Sequence, residues 1–229
     1  MDERKIQKSF IDQIKGKKKV TKKSINVYKY LVHHSFFEVI TNAYPEFYAI
    51  VQNKKLEKEF DKSIFKFMQK SALSPYIWKM PNEYRKFLKK TNYFKKIPYL
   101  QDLLYFEYSE LFIFMQKKTL NKHYKFSMNN KYKISKHISL KKYNYDVINK
   151  VFHEKKQCFI LGYFDKQTSD VVYRPLDKLL YDFLKFIDKK ESLKVNLRLF
   201  FKQNNLSYKD YAEVFKNVLN ELYNNKVIV

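Results

Sequence analysis

Residues 157–175 read Gln157-Cys158-Phe159-Ile160-Leu161-Gly162-Tyr163-Phe164-Asp165-Lys166-Gln167-Thr168-Ser169-Asp170-Val171-Val172-Tyr173-Arg174-Pro175, and their pattern decides the class of fold. Gln157 to Phe164 is rich in bulky and branched side chains, Asp170 to Arg174 carries Val171, Val172 and Tyr173, and the residues between are polar. Two such runs joined by a polar turn predict a hairpin, because β-branched and aromatic side chains fit a pleated, half-buried surface. Upstream, Tyr132, Ile134 and Ile138 predict a first strand. Downstream, Pro175 is read as ending the hairpin and opening a helix with Leu176, Leu179, Leu180, Phe183, Leu184 and Ile187 on one face. Ser192 is placed to cap a second helix carrying Leu193, Leu197, Phe200 and Phe201. Ser207 with Asp210 forms a capping box for a third, which bears Tyr211, Ala212, Phe215, Val218, Leu219 and Leu222. Val227-Ile228-Val229 can add a short strand. The expected order is three strands and then three helices, a winged-helix-like domain.

Before this unit the apolar residues recur at helical spacing. Ile6, Phe10 and Ile14 form one stripe, and a lysine-rich joint follows around Gly16. Ser24 is read as capping a helix with Ile25, Tyr28, Leu31, Val32, Phe36, Val39 and Ile40; Pro45 opens a short one with Phe47, Ile50 and Val51. Asn53 is read as the cap of a helix carrying Leu56, Phe60, Ile64, Phe67 and Met68. Ser74-Pro75 and Met80-Pro81 demand a turn-rich excursion over 71–81 with Trp78 as a packing anchor, and a helix with Tyr84, Phe87 and Leu88 follows. Pro98 opens what reads as the longest helix, to about Lys117, apolar on nearly every side and therefore central to its domain. From Leu111 to Tyr145 there is no acidic residue while lysines accumulate, and the domain boundary is expected near residue 120. The fold class is thus α+β and mostly α: a helical domain over 1–120 and a winged-helix-like domain over 121–229.

The chain has 229 residues, enough for two small domains, and a formal charge of +24. That charge would attract phosphate backbones, anionic membranes or acidic peptides, though scattered lysine amid Asn, Ile, Tyr and Phe also fits the codon bias of an AT-rich genome. The one cysteine, Cys158, excludes an intramolecular disulfide framework and fits a reducing compartment. The charged start, Met1 to Lys5, lacks the apolar stretch of a secretory signal, so a cytoplasmic protein is expected. The most apolar run, Leu103 to Met115, is interrupted by Glu107 and Glu110 and is shorter than the roughly 20 residues that cross a bilayer, so no membrane partner is expected.

Two glycines, Gly16 and Gly162, cannot build a glycine-rich phosphate cradle. His34 and Glu38 share a helix face with His33 adjacent, yet zinc needs more protein ligands than that, and histidines at the edge of a helical core are the ordinary reading. A metalloenzyme built on these three is the weakest of three options. Cys158 follows His153 and Glu154 but begins an apolar strand, which favours a structural thiol over a nucleophile. His123 and His137 lie among lysines with no carboxylate nearby. Glu107, on the apolar helix, needs a partner such as a lysine or tyrosine from a neighbouring helix if buried. No catalytic residue, metal site or cofactor is nominated, and the chain reads as a binding protein and not an enzyme. Two surfaces can bind. The strand Asp170 to Arg174 beside the last helix can take a peptide by backbone pairing. Alternatively, Lys209, Lys216 or Asn217 on the third helix can face a DNA major groove.

Several segments carry a resemblance: Ile25-Asn26-Val27-Tyr28-Lys29, Thr41-Asn42-Ala43-Tyr44-Pro45-Glu46-Phe47, Ser74-Pro75, Phe87-Leu88, and Ile97-Pro98-Tyr99-Leu100-Gln101-Asp102-Leu103 with Glu107. They resemble a bacterial family that carries a DNA-binding-domain label. It includes the MbnC-type (methanobactin) and HvfC-type partner subunits of multinuclear non-heme iron oxidases, which modify cysteines in ribosomally made peptides (RiPP biosynthesis). Ser24 and Asn53 stand where that family often has a basic residue and a glycine. The C-terminal order resembles a precursor-peptide recognition element, which holds a leader peptide between its third strand and third helix. The resemblance implies a non-catalytic partner subunit that binds such an oxidase and recruits its short precursor peptide. Its implied peptide-binding residues are Val171, Val172, Tyr173 and Arg174 with Tyr211, Phe215 and Lys216. The alternative is a DNA-binding transcriptional regulator using the same C-terminal domain.

Overall fold

The computed structural model describes residues 3–20, 22–70, 76–91, 93–116 and 125–229. It is an α+β structure, mostly helical, with a three-stranded antiparallel sheet followed by helices. Two compact units meet between Leu111 and Phe112. The boundary expected near residue 120 falls on residues 117–124, outside those described, as do Ser74-Pro75 and His123.

The first unit is made of α1 (Glu3–Ile14), α2 (Lys23–Ala43), α3 (Pro45–Asn53), α4 (Glu57–Lys70), a 3-10 turn (Ile77–Lys79), α5 (Met80–Lys90) and the first part of α6 (Leu100–Met115). Its core is aromatic: Phe47, Phe60, Tyr84 and Phe94 are buried and meet mostly edge to face, with Phe47 and Phe94 centroids 5.1 Å apart. That geometry sets the positive ring edge against the negative ring face. Several local expectations shift by a residue or more. The helix expected to be capped by Ser24 starts at Lys23 with no side-chain cap. Asn53 closes α3 instead of capping α4, because Lys55 adopts a positive φ of 56° that turns the chain between the two helices. The longest described helix is α2, not α6, which begins at Leu100 two residues past Pro98. Trp78 is only half-buried, with the Lys79 ammonium 5.3 Å from its ring.

In the second unit β1 (Ser139–Tyr143), β2 (Cys158–Asp165) and β3 (Asp170–Leu176) lie in the order β1-β2-β3. The hairpin is where the sequence places it, with Asp165 opposite Asp170 and Ser169 turning at a φ of 58°. The first strand is not at Tyr132 to Ile138 but just after it. Tyr132 instead packs into the helical core, and residues 131–135 form isolated bridges to Ser192 and Ile228. The Lys133 and Val229 backbones exchange two hydrogen bonds of 2.9 Å, so the last residues do pair as a short strand would. Pro175 does not start a helix. It stays in β3, and α7 (Lys178–Phe186) starts after Asp177, whose carboxylate accepts the Leu180 N–H at 2.8 Å. Ser192 caps α8 (Leu193–Gln203) as expected, accepting from Val195 at 3.3 Å. Ser207 precedes α9 (Tyr208–Asn224) but makes no side-chain cap bond.

Register assigns the two faces of the sheet. Phe159, Leu161 and Tyr163 on β2 and Val172 and Leu176 on β3 point to the helices, where Phe183, Phe200, Phe201, Phe215 and Leu219 complete one core. On the opposite face the end of α6 packs down, with Phe114 meeting Phe164 at 6.2 Å. Gly162 lies on that face. A Cβ there would come within 2.7 Å of the Tyr173 ring and 3.0 Å of Ile113. Gly162→Ala is therefore expected to displace Tyr173 and to lower stability by about 1–3 kcal/mol, the usual scale of overpacking, measurable as a fall in the denaturation midpoint.

Candidate functional site

The site is built on β3, an edge strand that pairs only with β2 among the described residues. Alternate residues of an antiparallel strand direct their N–H and C=O to opposite sides. Pro175 has no N–H to give β2, and a proline inside a sheet sits with that position facing out. Val171 and Tyr173, four and two residues before it, share its parity, and the Val171 N–H is indeed taken by its neighbour's Asp170 carboxylate at 2.7 Å. The backbone groups of Val171, Tyr173 and Pro175 thus face the edge away from β2.

Their side chains divide differently. Val172 and Arg174 point to the helical side, and the Arg174 Nη1 donates to the Glu221 Oε1 of α9 at 2.7 Å. This contact sets one flank of α9 beside β3. Val214 and Val218 precede Glu221 by seven and three residues and so share that flank. Val218 is half-buried, whereas Val214 is 60% exposed, an aliphatic side chain held in the open beside a strand edge. Arg174 thus ties β3 to the flank of α9 that carries Val214, Val218 and Glu221.

The residues implied by the resemblance are only partly gathered here. Val172 and Arg174 share the helical face of β3; Val171 and Tyr173 present backbone to the edge while their side chains lie on the other face of the sheet. Tyr211 is 40% exposed, with its ring 6.0 Å from Phe201. Phe215 is 7% exposed and belongs to the core, packed between Phe183 and Phe201. Lys216 lies about 140° around the helix from Glu221. It pairs with Glu213 at 3.2 Å and, with Lys125, Phe126, Asn217 and Asn220, lines a cavity of about 250 Å³. Val214, Val218 and Glu221 were not singled out from sequence. A signal existed: Val214 is an aliphatic residue off the buried stripe of Phe215, Leu219 and Leu222.

The other chemical groups are accounted for locally. The His33 Nε2 lies 3.3 Å from Asp61 on α4, while His34 stacks on Tyr30 and pairs with Glu38 at 3.1 Å, so the two imidazoles face different partners. Among the described residues no group of three or more His, Cys, Asp or Glu is placed to hold a metal ion. The Cys158 thiol donates to the Tyr145 carbonyl at 3.0 Å. His137 Nδ1 meets Gln116 Oε1 at 3.1 Å. Glu107 finds neither lysine nor tyrosine as its main partner. Its carboxyl accepts the Glu46 N–H at 2.7 Å and the Phe47 N–H at 3.3 Å, satisfying the start of α3. Burial pushes its pKa up to about 8, against the pull of those two donors. No protein-family model matches the chain, and no curated protein matches it.

Proposed function

We propose that the chain is a non-catalytic partner subunit of an iron-dependent, peptide-modifying oxidase, and that its second unit is a winged-helix-like recognition element for the precursor peptide. The observation that carries this reading is the edge strand β3 tied by the Arg174–Glu221 pair to the flank of α9 that bears the exposed Val214 and the half-buried Val218, two surfaces that would form the walls of a groove. An extended peptide laid along β3 would form backbone bonds on the edge and place alternate side chains into the groove. The Arg174–Glu221 pair gives the groove a charged end, so an acidic peptide residue could take the guanidinium in place of Glu221. The net charge of +24 would speed the approach of an acidic leader. In this reading the oxidase holds the metal, and the first unit, whose motif order resembles the oxidase-partner family, supplies the dock.

Co-expression with a multinuclear iron oxidase and a short cysteine-containing precursor, taken from the neighbouring genes where these encode them, tests both halves. The expected result is co-purification with the oxidase and saturable binding of the precursor; failure of both overturns the reading. The DNA-regulator alternative places Lys216 and Asn217 of α9 against a duplex. It requires binding with real sequence preference at physiological salt, because phosphate contacts alone give affinity without specificity.

A further inference from the structure

The first unit carries a second surface that the peptide reading does not use. On α2, Val27 and Leu31 recur four residues apart with Tyr30 beside them, on the side opposite the buried Ile25, Phe36 and Ile40. Antiparallel to it, α1 exposes Ile6 and Phe10 one turn apart, and the Phe10 and Tyr28 rings meet edge to face at 5.7 Å, which brings the exposed apolar stripes of the two helices together. Ile6 and Leu31 each leave about half of their surface open, both at 51%. Large apolar side chains gathered this way mark an interaction site.

The charge around this face is equally concentrated. Between residues 4 and 29 stand Arg4 and nine lysines against one acidic residue, Asp12. Arg4, Lys5, Lys8, Lys17, Lys18, Lys19, Lys22 and Lys23 are exposed. Lysine is abundant throughout the chain, and residues 111–145 lack acids altogether, so it is the local density of positive charge beside exposed apolar side chains that marks the segment. The joint between the helices is also fixed in place: Gly16, at a φ of 69°, lies where a Cβ would be 2.9 Å from the Phe65 ring of α4.

We infer that the α1–α2 hairpin is a docking surface for an anionic membrane, its apolar face entering the headgroup layer and its lysines meeting the lipid phosphates. Charge complementarity favours this occupant. A second copy of the chain would bring a like-charged rim against this one, and lysine is depleted from the centres of protein interfaces, whereas clustered lysines beside exposed aliphatic and aromatic side chains suit an anionic interface. No described helix is long and apolar enough to cross a membrane, so the contact is one of lying on the surface.

The test is flotation of the full chain with vesicles of phosphatidylcholine mixed with phosphatidylglycerol, and with phosphatidylcholine alone, at about 0.15 M salt. Binding to the mixed vesicles only is expected. The triple variant Ile6→Ser, Val27→Ser, Leu31→Ser keeps every charge and should bind them at least about tenfold more weakly, since apolar insertion and charge act together. The variant Lys17→Gln, Lys18→Gln, Lys19→Gln keeps every apolar residue and should also bind more weakly. Equal binding by the serine variant would reduce the effect to the general attraction of a cationic protein and overturn the inference. So would no vesicle binding by the parent chain, or a parent dimer that the serine variant converts to monomer. Retained precursor binding by the serine variant separates this surface from the β3 groove.

Discussion

Glu107→Gln is expected to raise stability at pH 9 by a few kcal/mol while leaving it nearly unchanged at pH 5. The parent carboxyl, with a pKa of about 8, holds its proton in the folded state at pH values where an unfolded glutamate, near 4.5, has released it. A folded pKa above the unfolded one gives stability that is complete below about pH 4.5 and is lost as pH rises through about 8. The full span is on the order of 4 kcal/mol, at 1.36 kcal/mol per unit of difference. Glutamine keeps an oxygen to accept the Glu46 and Phe47 N–H groups and cannot ionise, so its stability should be flat across that window. Glu107→Leu should differ from both. It leaves two helix-start donors unsatisfied and is expected to cost about 1–3 kcal/mol at every pH. Denaturant titrations of the three proteins at pH 5, 7 and 9 read this directly; a parent that gains stability relative to Glu107→Gln as pH rises would show that the α3 N–H donors outweigh burial.

Val214→Glu is expected to abolish or weaken precursor binding by at least about tenfold without changing the fold. Val214 is 60% exposed, so a polar replacement there should alter stability by no more than about 0.5 kcal/mol. In the proposed groove the same change replaces an aliphatic side chain with a charge two turns from Glu221 on the same flank, which would repel an acidic leader and cost an apolar contact when the peptide is seated. Lys216→Gln, on the opposite flank at a side chain already paired with Glu213, lowers the net charge by one as Val214→Glu does and gives the matched control. It should reduce binding only through net charge and lose its effect at high salt. Isothermal titration of the three proteins with the precursor peptide distinguishes them. Equal loss in both variants would return the site to a diffuse electrostatic one.

The two strands at the heart of the second unit were readable because Cys158 to Phe164 and Val171 to Tyr173 combine β-branched and aromatic residues around a polar turn. The strand β1 was not, for a physical reason: Ser139-Leu140-Lys141-Lys142-Tyr143 is an edge strand whose lysines keep it soluble, and they mask its alternation. Pro175 was misread because a proline before an apolar helical stripe usually begins the helix, whereas here it lies in an edge strand that needs no N–H at that position. Glu107 could be assigned to burial from its place among Leu103, Leu104 and Phe106, but its partners are backbone groups 60 and 61 residues away, which no local pattern records. The same limit applies to the groove. Arg174 and Glu221 are 47 residues apart, and only the folded chain shows that their contact selects the Val214 flank of α9 over the Lys216 flank.

The central claim is that β3 is a peptide-binding edge, and backbone amide exchange across Asp170–Leu176 with and without the precursor peptide tests it most directly. Addition of the peptide should slow exchange along β3 and along the Val214 to Glu221 flank of α9, leaving the Lys216 side unchanged. Protection confined to Lys216 and the Lys125–Phe126 segment, or no protection at saturating peptide, would contradict it.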